Sequence, residues 1–142
     1  MRVAAIDVGS NTVRLLVATL EDGSVKPWLA ESLTPSDDKL SWTLKLRPNI
    51  KFHDGTALDA NVLKSNFDAN KAPASRCAGT LAPVSSMDVV DPLTVKYTLA
   101  SPYGPFPELL TGAVGLPFSP ANAAAKGKDV SANPVGTGAY IF

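Results

Sequence analysis

Residues 40–47 read LSWTLKLR, an unbroken alternation of apolar and polar side chains. Leu40, Trp42, Leu44 and Leu46 fall on one face of an extended chain, with Ser41, Thr43, Lys45 and Arg47 on the other. Successive side chains of a strand point to opposite faces, so this pattern predicts a half-buried β-strand. Pro48 ends it, because proline has no N–H to give a ladder. A second alternation lies at LTVKYTLA, where Leu93, Val95, Tyr97 and Leu99 interleave with Thr94, Lys96 and Thr98. Asp91-Pro92 separates it from SMDVV, and the two runs read as a hairpin.

Working outward, PSDDK (35–39) is a turn, preceded by a segment VKPWLAESL (25–33) that reaches a strand and, before that, a turn at EDGS (21–24). Asp59 is placed to cap a helix near 60–70, in which Val62, Leu63 and Phe67 form an apolar stripe. Pro107, followed by Glu108, Leu109 and Leu110, predicts a short helix. Pro120 and the alanines through Ala125 predict another, stopped by Gly127. A last strand is expected over 138–142. The expected fold class is therefore α+β: a mixed, largely antiparallel sheet with two or three short helices. At 142 residues the chain is expected to form one domain with a sizeable core.

Composition narrows the function. Thirteen basic residues balance thirteen acidic ones, with no basic cluster, which argues against nucleic acid or an anionic membrane surface as partner. Apolar residues at 45% and charged residues at 18% suit a globule rather than a disordered chain. The single Cys77 rules out an internal disulfide and a cysteine-based zinc site. No apolar run approaches the roughly 18 residues of a membrane helix. Asp7 interrupts any apolar core of a signal peptide, so the chain as written is expected to stay in the cytoplasm where it is made.

Chemistry-bearing residues are few. His53 and Asp54 in KFHDG are a candidate metal or acid–base pair, though a structural turn is the preferred reading of a lone histidine. PVGTG (134–138) lacks the lysine and helix of a P-loop. Trp28, Trp42, Tyr97 and Tyr103 sit in strand contexts that favour packing over a ligand cage. The N-terminal AAIDVGSNTVRLLV (4–17) reads as two strands joined by a turn at Asp7-Val8-Gly9-Ser10-Asn11. Such a turn could be an ordinary hairpin or an anion cradle.

This N-terminal stretch resembles the first phosphate loop of the exopolyphosphatase/guanosine pentaphosphatase family, members of the actin-like ATPase superfamily. The resemblance covers about the first 18 residues and implies phosphate-binding roles for Asp7, Gly9, Ser10, Asn11 and Arg14. No second phosphate loop follows, so catalysis is not expected, and no catalytic residue, metal or cofactor is assigned. From about residue 21 onward, the ordered series LAESL, SDD, WTLKLRP, KFHDGTALDA, VVDPLTVKYTLASPYGPF and NPVGTGAY resembles the family 5 extracellular solute-binding proteins of ABC importers. These bind oligopeptides, dipeptides or nickel, and the stretch is similar to part of their first lobe.

That resemblance implies a peptide or other small solute as ligand, an ABC permease as partner of the whole protein, and a periplasmic or extracellular family location. Lys39 and Asn49 stand where the family commonly has glycine, and Ala139 where it has proline. Together the two resemblances describe a chimera, natural or engineered, in which Val13–Leu20 substitutes for a strand of the lobe. Little or no ligand binding is expected of it alone. The rival readings are a remnant phosphohydrolase and a structural chimera without activity. A homodimer through an apolar sheet face is a further expectation.

Overall fold

The structure, a computed structural model, describes residues 18–21, 24–126 and 135–137. In chain order its elements are β1 (Ala18–Glu21), β2 (Ser24–Pro27), β3 (Ala30–Pro35), β4 (Ser41–Leu46), α1 (Ala60–Lys71), β5 (Val84–Asp91), β6 (Thr94–Leu99), α2 (Phe106–Leu109), a 3-10 turn (Ala113–Gly115) and α3 (Pro120–Lys126). The expected α+β class is what the described residues show, with every strand pairing antiparallel. Strands β3, β4, β6 and β5 form one four-stranded sheet in that order.

The two alternating stretches form the middle of this sheet. Leu44 lies opposite Val95 and Trp42 opposite Tyr97, so both apolar faces point the same way. Leu44, Leu46, Val84 and Val95 are fully buried there, with Met87, Tyr97 and Leu99 nearly so. Burying each large apolar side chain contributes roughly 1.5–3 kcal/mol, which makes this face the main source of stability. Leu40, expected on the apolar face, is instead 36% exposed. It belongs to the β3–β4 turn, and its carbonyl accepts from the Leu99 N–H at 2.8 Å.

Each hairpin is set by short polar side chains. In the β3–β4 turn the Ser36 hydroxyl accepts from the Ser41 N–H at 3.0 Å, and Asp38 accepts from the Leu40 N–H at 2.9 Å. Lys39 closes the turn in the left-handed region, with φ 57°. In the β5–β6 turn Asp91 accepts from the Leu93 N–H at 2.8 Å, the local bond that makes Asp a turn former. Helix α1 starts where its cap was expected: Asp59 accepts from the Val62 N–H at 2.9 Å. Its face of Ala60, Leu63, Asn66 and Phe67 is buried, and it lies against β5 and β6. The Lys71 ammonium donates to the carbonyls of Val84 and Ser85, tying the helix end to the start of β5.

Residues Val13–Leu20 are expected to substitute for a strand of the lobe. The described part, Ala18–Leu20, belongs to β1, which pairs with β2 in a separate two-stranded sheet. The extended chain breaks at Trp28-Leu29, where both carbonyls turn to Arg47: Leu29 accepts from its backbone N–H at 3.0 Å and Trp28 from its Nε at 2.8 Å. The open face of the main sheet was expected to be apolar. It is lined by Ser32, Thr34, Ser41, Thr43, Lys45, Thr94 and Lys96, because strict alternation sends the apolar side chains to the other face. Among the described residues the exposed large apolar ones are Leu40, Val89 and Val90. The expected last strand at 138–142 and the hairpin strands over 3–17 lie outside the described residues.

Candidate functional site

Polar chemistry in the interior gathers where the loop after β4, helix α1 and the segment entering α3 meet. Residues 51–57 fold into a tight loop with Lys51 bridged to Ala57. The Phe52 N–H donates to Thr56 O at 2.8 Å, and the Gly55 N–H to Phe52 O at 2.9 Å. Gly55 has φ 83°, a backbone conformation that glycine adopts without a Cβ penalty. Phe52 and Leu58 anchor the loop in the core.

The loop presents Asp54 to the segment before α3. Its carboxylate accepts from the Thr56 N–H at 2.9 Å and from the Ser119 hydroxyl. Ser119 is 1% exposed, and its Oγ also accepts from the Asn122 N–H at 3.2 Å at the start of α3. Burial raises the Asp54 pKa, but the hydrogen bonds from Ser119 and Thr56 outweigh it and hold the carboxyl below its usual range. One turn away, Asn66 of α1 clamps the backbone of Phe118. Its Nδ2 donates to Phe118 O at 3.1 Å and its Oδ1 accepts from the Phe118 N–H at 2.7 Å. The His53 N–H donates to Gly136 O at 3.0 Å, which brings the PVGTG stretch to the same loop.

The sequence-level candidates sort as follows. His53 and Asp54 are adjacent in a turn, and the contacts described for them brace neighbouring segments. Among the described residues no group of three or more His, Cys, Asp or Glu side chains could hold a metal. Asp7, Gly9, Ser10, Asn11 and Arg14 lie outside the described residues. The aromatic residues pack: Phe106 is 5.5 Å from Trp42 and 5.0 Å from Tyr97 between ring centroids, and Phe67 meets Tyr97 edge-on at 6.1 Å. Trp28 and Tyr103 lie partly buried against the core. Asn66 and Ser119 went unnoticed in the sequence. The available signal was a polar residue on the otherwise apolar Ala60, Leu63, Phe67 face of a helix.

Residues 24–142 match the family model described as bacterial extracellular solute-binding proteins, family 5 Middle. The chain belongs to this family. Among curated relatives, the glutathione-binding protein GsiB of Escherichia coli O1:K1 is 40% identical over 118 residues, covering 82% of this chain and 23% of the relative. GsiB of Pectobacterium atrosepticum is 39% identical over 116 residues, 80% of this chain and 23% of the relative. The chain thus spans about a quarter of the length of these family 5 proteins. Solved structures agree. AgaA in complex with agropinic acid, from A. tumefaciens R10, superposes with a TM-score of 0.81 at 29% identity, over 91% of this chain and 27% of that one. NikZ from Campylobacter jejuni in complex with Ni(L-His) gives 0.79 at 30% identity, over 93% of this chain and 27% of that one. The expected likeness to part of a periplasmic binding protein lobe is therefore correct. The Asp54–Ser119 and Asn66–Phe118 contacts lie inside the family 5 match.

Proposed function

We propose that the chain is part of a solute-capturing protein of an ABC importer, acting outside the cytoplasm on a peptide or other small solute and handing it to a permease. It is a binding module and not an enzyme. The family 5 match over residues 24–142 carries this reading, and the GsiB relatives make a short peptide such as glutathione the first ligand to try. By itself the chain contributes one domain and little or no affinity, since a cleft closed from two sides needs both walls to desolvate its ligand. A grafting experiment tests this. Residues 24–142 replace the matching segment of a glutathione-binding GsiB, and glutathione binding is measured by calorimetry on the hybrid and on the present chain. The hybrid is expected to bind within about tenfold of its parent, a loss of about 1.4 kcal/mol or less, and the chain alone to show no saturable binding. A hybrid that folds without binding, or tight binding by the chain alone, would refute the reading.

The chimera is the accompanying proposal, because residues 1–23 lie outside the family match while Asp7, Gly9, Ser10, Asn11 and Arg14 follow a phosphatase-like pattern. Incubation with polyphosphate, ATP or guanosine pentaphosphate and Mg²⁺ is expected to give no turnover above background. Turnover abolished by Asp7→Ala would instead establish a phosphohydrolase. A homodimer, if formed, would use Val89 and Val90 rather than the hydroxyl-lined sheet face.

A further inference from the structure

Trp42 holds a donor without an acceptor. Its indole Nε1 is buried with no hydrogen-bond partner, one of two such side-chain atoms among the described residues, the other being Thr137 Oγ1. An indole N–H donates and cannot accept, so only an acceptor satisfies it. The contact described for the ring is Phe106, 5.5 Å away between centroids, which supplies packing and no lone pair. Buried polar groups of native proteins are nearly always hydrogen-bonded, so this orphan calls for a partner.

The sheet is also covered unevenly around it. Helix α1 lies against β5 and β6, where Val84, Met87, Val95 and Leu99 are at most 4% exposed. Over β3 and β4 the cover comes from α2 and the β1–β2 hairpin: β2 touches β3, β1 touches α2, and Phe106 of α2 meets Trp42. Leu33, opposite Leu44 on the apolar face, is only partly buried there, as are Val25 of β2, Trp42 and Leu109 of α2. This corner coincides with a boundary in the sequence. Strand β2 begins at Ser24, the first residue of the family match, whereas β1 lies outside the match. The matched model is described as the middle of family 5 proteins, so in a whole member other residues lead into Ser24 and reach the same corner.

We infer that the corner formed by Trp42 and α2 is the docking surface for the segment that leads into the matched region of a whole family 5 protein, and that a main-chain carbonyl of that segment accepts from Trp42 Nε1. In the present chain β1 occupies the place beside α2 and leaves the indole unpaired. A carbonyl suits the position better than a carboxylate. The lysines of the central strands, Lys45 and Lys96, lie on the opposite face of the sheet, so a carboxylate here would be desolvated without a counter-charge. A second copy related by a two-fold axis would bring the same patch, with another indole donor and no side-chain acceptor. The inference rests on the importer reading.

The GsiB hybrid carrying residues 24–142 tests it, because the chain of GsiB then precedes Ser24. In proton–nitrogen correlation spectra, with the Trp42 indole signal assigned through Trp42→Phe, that signal is expected further downfield and exchanging more slowly in the hybrid than in the present chain. A hybrid that binds glutathione while its Trp42 indole stays unbonded would overturn the inference and leave the importer reading standing. A bonded indole in a hybrid without glutathione binding would do the reverse. Trp42→Phe should also weaken the folding equilibrium of the hybrid about fivefold more than that of the present chain, the net worth of one hydrogen bond, since the packing lost is common to both. Equal losses would count against the carbonyl. An indole of the present chain that becomes bonded as concentration rises would assign the surface to a second copy and overturn the inference. Should the hybrid not fold, the present chain decides: an unbonded indole upholds the orphan donor, and a bonded one refutes it.

Discussion

Replacing Lys39 by glycine should stabilise the protein. Lys39 has φ 57°, one of two non-glycine residues among those described with a positive φ. A left-handed conformation costs an ordinary L-residue about 1–2 kcal/mol, because its Cβ crowds the following carbonyl. Glycine removes that cost but loses about 0.4–1 kcal/mol through the greater freedom of its unfolded chain. Nothing else is given up: the side chain is exposed, and neither described salt bridge includes it. The hydrogen bond from the Lys39 N–H to Ser36 O is backbone and survives. The net gain is about 0.5–1 kcal/mol, or a rise in melting temperature of about 2–4 °C per kcal/mol for a domain of this size. Asn49, with φ 62°, should gain less from the same change, since asparagine tolerates this region better than lysine. Urea melts followed by tryptophan fluorescence report the comparison, because Trp28 and Trp42 are both partly buried. Lys39→Ala is the control: it retains the strain and should stay within about 0.5 kcal/mol of wild type. A lowered midpoint for Lys39→Gly, or an equal rise for Lys39→Ala, would refute the reasoning.

Three further outcomes are expected. Phe106 is fully buried between Trp42 and Tyr97, so Phe106→Ala should cost about 3–5 kcal/mol and reduce the near-ultraviolet dichroism of its aromatic neighbours. Asp59→Ala removes the α1 cap and should cost about 0.5–2 kcal/mol by urea melting, with Asp59→Asn recovering most of it. The Asp54 carboxyl is held below its usual value of 3.8 in the fold. Its ionised form therefore stabilises the fold above that value, and the contribution is lost as pH falls through the lower folded-state pKa. Asp54→Asn should be less stable than wild type at pH 7, with the gap narrowing in acid; parallel profiles between pH 7 and pH 3 would contradict the Ser119 contact.

The site was only half legible in advance. Asp54 stood out as a turn residue in KFHDG, and its bond to Thr56 spans two positions, the reach of an Asx turn. Its other partner, Ser119, is 65 residues away, and Asn66 and Phe118 are 52 apart. No local pattern couples such positions. A buried polar side chain finds its partner only when distant segments have been brought together, although the need for one can be read from a polar residue on an apolar helix face.

The sequence by itself determined which face of each central strand is buried, where α1 begins, and where the two hairpins of the main sheet turn. Those features follow from rules acting over two to four residues: the alternation of a strand, the reach of an Asp cap to Val62, and the reach of Asp91 to Leu93. The importer family followed from several such motifs occurring in one order. Tertiary structure decided the rest. Strand β4 pairs with β6, with Ser41 opposite Thr98, although both helix α1 and strand β5 lie between them in the chain. Strand β1 stays with β2 and does not join the main sheet. Alternation makes a strand amphipathic without naming its neighbour; that choice rests on which long-range pairing covers the apolar face at tolerable loop-closure cost.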